Sequence, residues 1–470
     1  MMQRQTIFKV FILLGMATFI SCQEKEAVKP NVLFIAVDDL RPQLTSFGAT
    51  GMISPNIDRL ASMGTIFPNA YCNIPVCGAS RASILTGLRP TRNRFLSYDT
   101  WIDKQAPGVT TLPGHFKANG YYTVTDGKVA HHKGDCVGAW DEEWRPKGPG
   151  RNYLIPENVA MDAVAGQRGP SWEKADVPDS AYHDGKIALK AIRDLQKLKE
   201  KDQPFFLAVG FKKPHLPFNA PAKYWDMYDP EKIGLADNPF QPEGAPDQAR
   251  HNFGELRNYS GIPPKGPVSD SIALSLRHGY HACVSYMDAQ LGLVLDELER
   301  LDLADNTIIV LWGDHGWNLG EHGLWCKHCN FHTSINAPLV VAAPGFSGGQ
   351  KAMTKAEFVD IYPTICELAG LPLPDHLQGQ SFVSVLKDPA SSHKDYAISK
   401  WYDGLTIVKD QFHYTEWRNE EDSLYASMLY DHSKDPHENV NVVVDEQYQE
   451  DITALSKTMK AKRGEEYLVD

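Results

Sequence analysis

Two segments of the chain combine an unbroken apolar run with an abrupt acidic end. Residues 31–37 (NVLFIAV) lead directly into Asp38 and Asp39, and residues 306–312 (NTIIVLW) lead, one glycine later, into Asp314. Apolar runs without alternation are typical of central strands in a parallel sheet, because helices cover both faces of such a sheet. Ligands of doubly wound α/β sheets bind beyond the carboxyl ends of the strands. The two segments therefore predict an α/β fold in which these three acids meet at one sheet edge.

The three acids require a compensating charge. Adjacent carboxylates at a strand end repel each other unless a cation or protons compensate them. Ca²⁺ is the ion that we expect, with Mg²⁺ as the alternative, because both prefer oxygen ligands. A solvated turn would also accommodate Asp38 and Asp39, but such turns seldom follow so apolar a strand. The sequence therefore predicts a metal site formed by Asp38, Asp39 and Asp314.

Further apolar runs and helical periodicities extend the α/β pattern, with strands predicted at 204–211 and 337–345 and helices at 181–200 and 271–301. Residues 219–270 are rich in Pro, Gly, Asn and Asp, and we expect this long excursion to shape the rim of a pocket. After about residue 385 the pattern changes to short strand-like pieces. We therefore predict a main α/β domain over residues 30–385 and a small antiparallel sheet with a terminal helix over residues 386–470.

The charge balance restricts the class of partner. The 470 residues carry 59 acidic and 47 basic side chains, and the formal net charge is −12. Such a chain is a poor candidate for nonspecific binding to nucleic acid, so we expect no nucleic-acid partner. An anionic substrate must instead be held by a local basic pocket. The sequence does not fix an oligomeric state, and a monomer is the expectation.

The N-terminal residues are typical of an export signal. Two basic residues precede the apolar run 10–20, which is too short for a permanent membrane anchor. The run ends in the sequence FISC, which resembles a bacterial lipobox with Cys22 as the lipidated residue. We therefore expect residues 1–22 to be a lipoprotein signal peptide and residues 23–29 a tether. The expected location is the periplasm or the outer membrane; a cleaved secretory signal with an incidental Cys22 is the alternative.

The segment 77–87 (CGASRASILTG) predicts a short helix that begins at a turn. Cys77 then lies in the first turn, where unpaired backbone N–H groups favour negative charge. Arg81 lies one turn further along on the same face. A sulfur group, bare amides and a guanidinium together suit a tetrahedral oxyanion such as sulfate or phosphate. The alternative is a buried structural cysteine with an unrelated surface arginine.

The pattern C-x-A-S-R-x-x-x-x-T-G in this segment resembles the signature of the type I sulfatases. The resemblance implies that Cys77 is oxidised after translation to formylglycine, whose hydrated aldehyde is the nucleophile. It also implies a sulfatase-maturating enzyme as a partner. Ala79 stands where most relatives have proline, which favours the radical-type maturase of anaerobic bacteria. The tyrosine-phosphatase loop is less similar, because it places five residues between Cys and Arg, whereas three separate Cys77 from Arg81.

Five further motifs of the same family are present in the family's order, one before this segment and four after it. They include S-P-N-I-D-x-L-A from Ser54, G-K-x-x-H at Lys128 and His131, K-P-H-x-P-F around His215, and L-G-E-H-G-x-x-x-K ending at Lys327. L-Y-D-x-x-x-D-P-x-E-x-x-N follows near the C-terminus. The resemblance implies an alkaline-phosphatase-like fold with a large mixed, mostly parallel sheet sandwiched by helices, carrying a small C-terminal antiparallel sheet subdomain.

The resemblance also implies a role for each matching residue. Arg81, Lys128 and Lys327 would neutralise the sulfate oxygens, and His215 would protonate the leaving sugar oxygen. His131 would then deprotonate the remaining hydroxyl of the nucleophile and expel sulfate. The implied metal ligands are Asp38, Asp39, Asp314, His315 and residue 77, and among them the imidazole of His315 is a less usual ligand for a hard cation.

The motifs around His215 and Lys327 are most similar to those of the iduronate 2-sulfatases. They imply exo-acting 2-O-desulfation of the nonreducing-end uronate in heparin-like or chondroitin-like oligosaccharides. The alternatives are a sulfatase for another sugar position or an aryl ester, a phosphatase or phosphodiesterase of the wider superfamily, and a noncatalytic lipoprotein that binds sulfated glycans. We expect Trp317 to bind substrate, and Trp325 and His332 are further candidates for contact with the sugar.

The cysteines outside these motifs could bind zinc, form disulfide bonds or remain free thiols. Cys326 and Cys329 form a C-x-x-C pair near three histidines, but a structural zinc site usually takes a second pair of ligands and no second C-x-x-C exists. A local disulfide or free thiols are therefore expected ahead of zinc. Sequence does not give the connectivity of the six cysteines other than Cys22 and Cys77, which are Cys72, Cys136, Cys283, Cys326, Cys329 and Cys366.

Overall fold

An eight-stranded mixed sheet forms the centre of the protein. The computed structural model describes residues 29–462. The strand Asn31–Val37 lies in the middle of the sheet and runs parallel to both of its neighbours, Phe205–Phe211 and Thr307–Gly313. From edge to edge the strands are Gln350–Lys351, Thr65–Ile66, Leu339–Ala342, Thr307–Gly313, Asn31–Val37, Phe205–Phe211, Tyr122–Gly127 and Glu142–Trp144. The prediction of a mostly parallel α/β sheet is confirmed.

Helices cover both faces of this sheet, as the apolar runs predict. The central strand sends alternate side chains into two separate cores, one containing Leu33 and Ile35 and the other Val32 and Phe34. The first core is completed by the helices Pro55–Met63, His183–Lys199 and Asp270–Arg300. The second is completed by the helices Cys77–Thr86, Leu112–Ala118 and Ile361–Leu368. The helices expected at 181–200 and 271–301 are thus present within two residues of the predicted ends.

Shorter elements connect these layers. The remaining helices outside the C-terminal part are Ile102–Gln105, Pro156–Asp162, Ala222–Trp225, Gly254–Arg257, His332–Ile335 and Val383–Lys387. Three two-stranded sheets pair Ala70–Tyr71 with Ala356–Glu357, Trp172–Ala175 with Phe218–Pro221, and Asn318–Leu319 with Trp325–Cys326.

A four-stranded antiparallel sheet follows the main domain, in agreement with the prediction. Its strands, in chain order and in spatial order, are Tyr396–Trp401, Gly404–Lys409, Phe412–Arg418 and Leu424–Asp431. The C-terminal helix Gln449–Lys462 packs on it through Leu455 and Met459. Ala397 and Val408 of the same sheet belong to the second core of the main domain. The boundary between residues 385 and 386 stays a prediction.

The cysteines within residues 29–462 are all free and buried, including Cys326 and Cys329. Cys22, the signal peptide, nearly all of the tether and the last eight residues lie outside the described residues. Among the helices of the described part, none is long and apolar enough to cross a membrane.

Candidate active site

The three predicted acids meet at the carboxyl edge of the sheet. Val37 pairs with Gly313 at the ends of two adjacent parallel strands, and the acids follow directly. One carboxylate oxygen from each of Asp38, Asp39 and Asp314 lies within 4.8 Å of the other two. The backbone N–H of Asp39 donates to Oδ1 of Asp314 at 3.0 Å. The pairing of the strands therefore brings together acids that are 275 residues apart in the chain.

Three cations surround the buried acids. Arg81 donates through Nε to Oδ2 of Asp314 at 2.8 Å and through Nη2 to Oδ1 of Asp38 at 3.1 Å. Lys128 Nζ lies 2.5 Å from Oδ2 of Asp38, and Lys327 Nζ lies 3.1 Å from Oδ1 of Asp39. Burial would raise the pKa of Asp38, but the charges of Lys128 and Arg81 outweigh burial and hold that pKa well below its usual range.

The oxygen-rich centre of this group fits a hard divalent cation. Burial raises the pKa of Asp39 to about 6, although His215 and Lys327 act against the rise, so the surrounding side chains compensate this carboxylate incompletely. Clustered carboxylate oxygens are the ligands that Ca²⁺ and Mg²⁺ prefer. His315 is fully buried, and its Nε2 lies 3.4 Å from Oδ1 of Asp39 and 3.6 Å from Oδ1 of Asp314. These side chains would hold the cation that the sequence predicts.

Cys77 is the first residue of the helix Cys77–Thr86, as predicted, and all ten residues of that helix are buried. Its Sγ lies within 4.8 Å of a carboxylate oxygen of Asp314 and a ring nitrogen of His315. A side chain at Gly78 would place Cβ 2.0 Å from the carbonyl oxygen of Tyr98, so only glycine permits this approach of the helix.

The electrostatic environment of Cys77 favours negative charge. Burial would raise the pKa of the Cys77 thiol, but the ammonium groups of Lys128 and Lys327 hold it well below its usual range. Side-chain hydrogen bonds with His131 and His315 act in the same direction. A position that stabilises a thiolate also stabilises an oxyanion, so the surroundings of residue 77 suit a sulfate group or an ionised nucleophile.

A cavity of about 380 Å³ opens beside these residues. Asp38, Lys128, His131 and His215 line it, and around them lie five more basic side chains, Arg145, Arg151, Arg168, Lys212 and Lys213. This local concentration of positive charge is the basic pocket that the negative net charge of the chain led us to expect. None of the five additional cations was given a role from the sequence, although Lys213 is the lysine of the K-P-H-x-P-F motif. The other four lie outside the matched motifs.

His215 reaches the acids from the loop that follows the strand Phe205–Phe211. Its Nε2 lies 3.0 Å from Oε1 of Glu255 and 3.8 Å from Oδ2 of Asp39. Burial lowers the pKa of His215, but the carboxylates of Asp39 and Asp38 and the hydrogen bond with Glu255 together outweigh burial, and the net shift is upwards. The carboxylates around the ring therefore favour its protonated form.

Glu255 is a site residue that sequence reasoning missed. It belongs to the excursion 219–270, which was predicted to form the rim, and it holds both His215 and Lys327, the latter with Nζ 2.8 Å from Oε2. A lone glutamate in an irregular segment carries no local signal of such a role. Only its position in the fold identifies it as the group that fixes these two side chains.

Three residues expected to contact the sugar are buried or lie at another cavity, and their contact with substrate stays a prediction. Trp317 is 1% exposed and lies beneath Lys327, whose Nζ is 4.8 Å from the ring centroid, so it supports that lysine from behind. Trp325 is 4% exposed. His332 lines a different cavity from His215 and Lys128. The presence of an aromatic residue in a motif does not show whether its ring is packed in the core or exposed to substrate.

The model of the family described as "Sulfatase" matches residues 30–371, and the model described as "N-sulphoglucosamine sulphohydrolase, C-terminal" matches residues 320–465. The chain belongs to the sulfatase family. It is 36% identical to the iduronate 2-sulfatase of Mus musculus over 396 residues, which cover 75% of this chain and 71% of the relative. It is 33% identical to a sulfatase of Formosa agariphila, with 95% and 90% of the two chains covered.

Solved structures agree with this assignment of the fold. A structure described as a 2-O GAG sulfatase superposes with a TM-score of 0.72 at 22% identity and covers 93% of this chain and 92% of that one. The sulfatase is thus a sulfuric ester hydrolase of the predicted fold. Sulfatases generally use formylglycine and a divalent metal ion, and the acidic group at the sheet edge of this sulfatase matches the second requirement.

Proposed function

We propose that this sulfatase removes the 2-O-sulfate from the nonreducing-end uronate of heparin-like or chondroitin-like oligosaccharides. The observation that carries the proposal is the number of cations in one cavity. Lys128 lines the cavity, and Arg81 and Lys327 pair with the acids beside it, so these three cations match one sulfate. The additional arginines and lysines at the cavity wall suit a second anionic group on the same sugar. A uronate 2-sulfate has both a sulfate and a carboxylate. The names of the relatives, an iduronate 2-sulfatase and a 2-O GAG sulfatase, support the same class of substrate.

The proposed chemistry assigns a task to each side chain. Formylglycine at position 77 supplies the nucleophilic hydroxyl, and Ca²⁺ supplies Lewis-acid activation of the bound groups. Lys128 and Lys327, whose charges both act on residue 77, hold the sulfate oxygens. Arg81 keeps Asp38 and Asp314 ionised, since it pairs with both. His215 donates a proton to the sugar oxygen as the S–O bond to the sugar breaks and the sulfur bonds to the hydroxyl oxygen of residue 77. His131 then removes the proton of the second hydroxyl of residue 77, so that the C–O bond to sulfate breaks, sulfate leaves and the aldehyde forms again.

A panel of heparin and chondroitin disaccharides, each sulfated at one known position, tests the substrate. We expect loss of one sulfate, read as product mass, only from disaccharides with a nonreducing-end uronate 2-sulfate. Turnover restricted to hexosamine sulfates or aryl sulfates would contradict the proposed position and support the second candidate, a sulfatase of the same chemistry with another substrate.

The state of residue 77 separates an enzyme from a glycan-binding lipoprotein. We propose that Cys77 is converted by the radical-type maturase, because Ala79 occupies the position of the usual proline. The tryptic peptide that contains residue 77 is then expected to be about 18 Da lighter than the cysteine form. An unmodified peptide from protein produced in its native host would favour the alternative, a noncatalytic lipoprotein that binds sulfated glycans.

Export and lipidation at Cys22 are also part of the proposal. Labelling with a radioactive fatty acid tests them, and we expect Cys22→Ser to abolish the label.

Replacement of His215 by alanine is expected to depend on the leaving group. We expect a loss in kcat of about 10²–10³-fold on a sugar sulfate, because the alkoxide then leaves without a proton. On 4-nitrophenyl sulfate, whose leaving group needs no proton, the loss is expected to be less than about 10-fold. Steady-state kinetics with both substrates measure the difference.

His183→Ala is the matched control. His183 lines the same cavity, and burial, reinforced by Lys212, lowers its pKa to about 3, which favours the neutral ring over the acidic imidazolium. This variant should affect both substrates equally. Equal losses on both substrates in His215→Ala would refute the role of His215 as the acid.

Removal of divalent cations is expected to inactivate the enzyme reversibly. Lys327 pairs with Asp39 and Lys128 with Asp38. A cation bound by these carboxylates would compete with both lysines and leave them for the sulfate oxygens. We expect dialysis against a chelator to lower kcat/KM about 100-fold or more and Ca²⁺ to restore it. Full activity at less than a tenth of an equivalent of metal, measured by elemental analysis, would contradict the proposed site.

A further inference from the structure

A second group of ligand-type side chains lies away from the catalytic cavity. One ring nitrogen from each of His332, His413 and His432 lies within 4.8 Å of the other two. His332 begins the short helix His332–Ile335 of the main domain. His413 lies on a strand of the C-terminal sheet, and His432 follows the last strand of that sheet. The three rings therefore meet where the two parts of the molecule pack together.

A buried carboxylate orients two of these rings. Oε1 of Glu438 lies 3.1 Å from Nδ1 of His413 and 3.1 Å from Nε2 of His432. Oε2 of Glu438 accepts the backbone N–H of His332 at 2.9 Å, which fixes the carboxylate in place. The side chains of His413 and Glu438 are only 3% and 2% exposed. Glu438 thus lies beside one nitrogen of each ring, hydrogen-bonded to Nε2 of His432 and close to Nδ1 of His413.

The opposite nitrogen of His413 points towards His332. Nε2 of His413 lies 3.4 Å from Nδ1 of His332. In a tetrahedral zinc site the Zn–N bonds of about 2.0–2.1 Å place two nitrogens about 3.3–3.4 Å apart. A ligand histidine typically donates its other N–H to a carboxylate, as His413 and His432 can do to Glu438. The separation of His332 and His413 matches the geometry around a metal ion. The rings of His413 and His432 stack at 4.2 Å with an interplanar angle of 16°, so one of these two rings turns when both bind the same ion.

We propose that His332, His413 and His432 bind one divalent transition-metal ion, which we take to be Zn²⁺, and that Glu438 positions the two rings of the C-terminal sheet. Imidazole is a ligand for zinc, whereas the oxygen-rich active site suits Ca²⁺, so the two ions select different sites.

The structure also provides an open position and an access route. A cavity of about 350 Å³ is lined by His332 and Glu438, and it is separate from the catalytic cavity. A fourth ligand such as water can enter from it. Because His332 lies five residues after Lys327, the ion would also connect the C-terminal sheet to the segment that carries the proposed sulfate-binding lysine. We expect the ion to stabilise the packing of the two parts, as structural zinc sites do.

Zinc binding to the full chain in excess Ca²⁺ tests the proposal. Protein first treated with a chelator and then supplied with Ca²⁺ is titrated with Zn²⁺ by calorimetry, and with Co²⁺ in the visible range, where a tetrahedral site absorbs strongly. We expect one equivalent of Zn²⁺, a tetrahedral Co²⁺ spectrum, and a higher thermal unfolding temperature with Zn²⁺. His432→Ala is expected to weaken Zn²⁺ binding about 100-fold or more, and Glu438→Gln about 10-fold or more.

His437→Ala is the matched control, because His437 lines the same cavity but is not one of the three clustered histidines. It should bind Zn²⁺ as the unmodified protein does. His432 is 20% exposed at its side chain, so its replacement is compatible with folding, and circular dichroism checks this. Absence of Zn²⁺ binding in the unmodified protein, or unchanged affinity in His432→Ala, would overturn the proposal. Equal weakening in His437→Ala would also overturn it.

Discussion

Replacement of Cys77 by alanine is expected to lower kcat/KM by at least about 10⁴-fold, because no group remains that becomes the nucleophile. Sγ of Cys77 lies beside Asp314 and His315, and Lys128 and Lys327 favour negative charge there. Alanine fits the same space, so the unfolding temperature should change little. Initial rates with a sulfated disaccharide and a thermal melt measure the two effects.

Cys72→Ala is the control for this experiment. Cys72 is also fully buried and precedes the same helix, but burial raises the pKa of its thiol and no cation compensates it. We expect nearly full activity from this variant. If Cys77→Ala retained more than about a hundredth of the activity, the assignment of residue 77 as the nucleophile would be wrong.

Replacement of Arg81 by methionine is expected to have the largest effect on stability. Arg81 is fully buried and pairs with both Asp38 and Asp314. Removal of the guanidinium leaves the buried carboxylate of Asp314 without its guanidinium partner and leaves Asp38 with Lys128 alone. The loss of a partner in a buried ion pair costs about 3–5 kcal/mol. Urea denaturation of the chelated protein measures the change in the free energy of unfolding.

Arg59→Met provides the comparison for Arg81→Met. Arg59 pairs with Asp296 and Glu299, whose side chains are 65% and 50% exposed. Exposed pairs contribute about 0–1 kcal/mol, so we expect little change. Ca²⁺ should recover part of the stability of Arg81→Met, since it compensates the same carboxylates. Equal stabilities of the two variants would contradict the view that Arg81 neutralises the acidic group.

The sequence predicts those parts of the fold in which a local residue pattern is compatible with only one local structure. The apolar runs before Asp38 and Asp314 mark central strands because only a strand covered on both faces lacks polar positions. The end of each run then places its acids at a common edge. The start of the helix at Cys77 follows from the turn residues before it and from the apolar spacing after it.

Other features depend on contacts between distant segments. The segment predicted as a strand at 337–345 contributes only Leu339–Ala342, and its antiparallel direction depends on the path of the chain between strands. Glu255 enters the site from an irregular segment, and its pairing with His215 and Lys327 has no local signature. Trp317 differs from Glu255, because it lies next to a family motif but its buried ring packs against Lys327.

The burial of the entire helix Cys77–Thr86 determines when residue 77 is accessible. In the folded chain the thiol is 3% exposed, and the backbone of Tyr98 presses against the next residue. An enzyme that modifies Cys77 must therefore act while the chain is being synthesised or before it is folded. The yield of active protein would then depend on the rate of modification relative to the rate of folding. Overproduction without enough modifying enzyme would give protein that is folded but inactive.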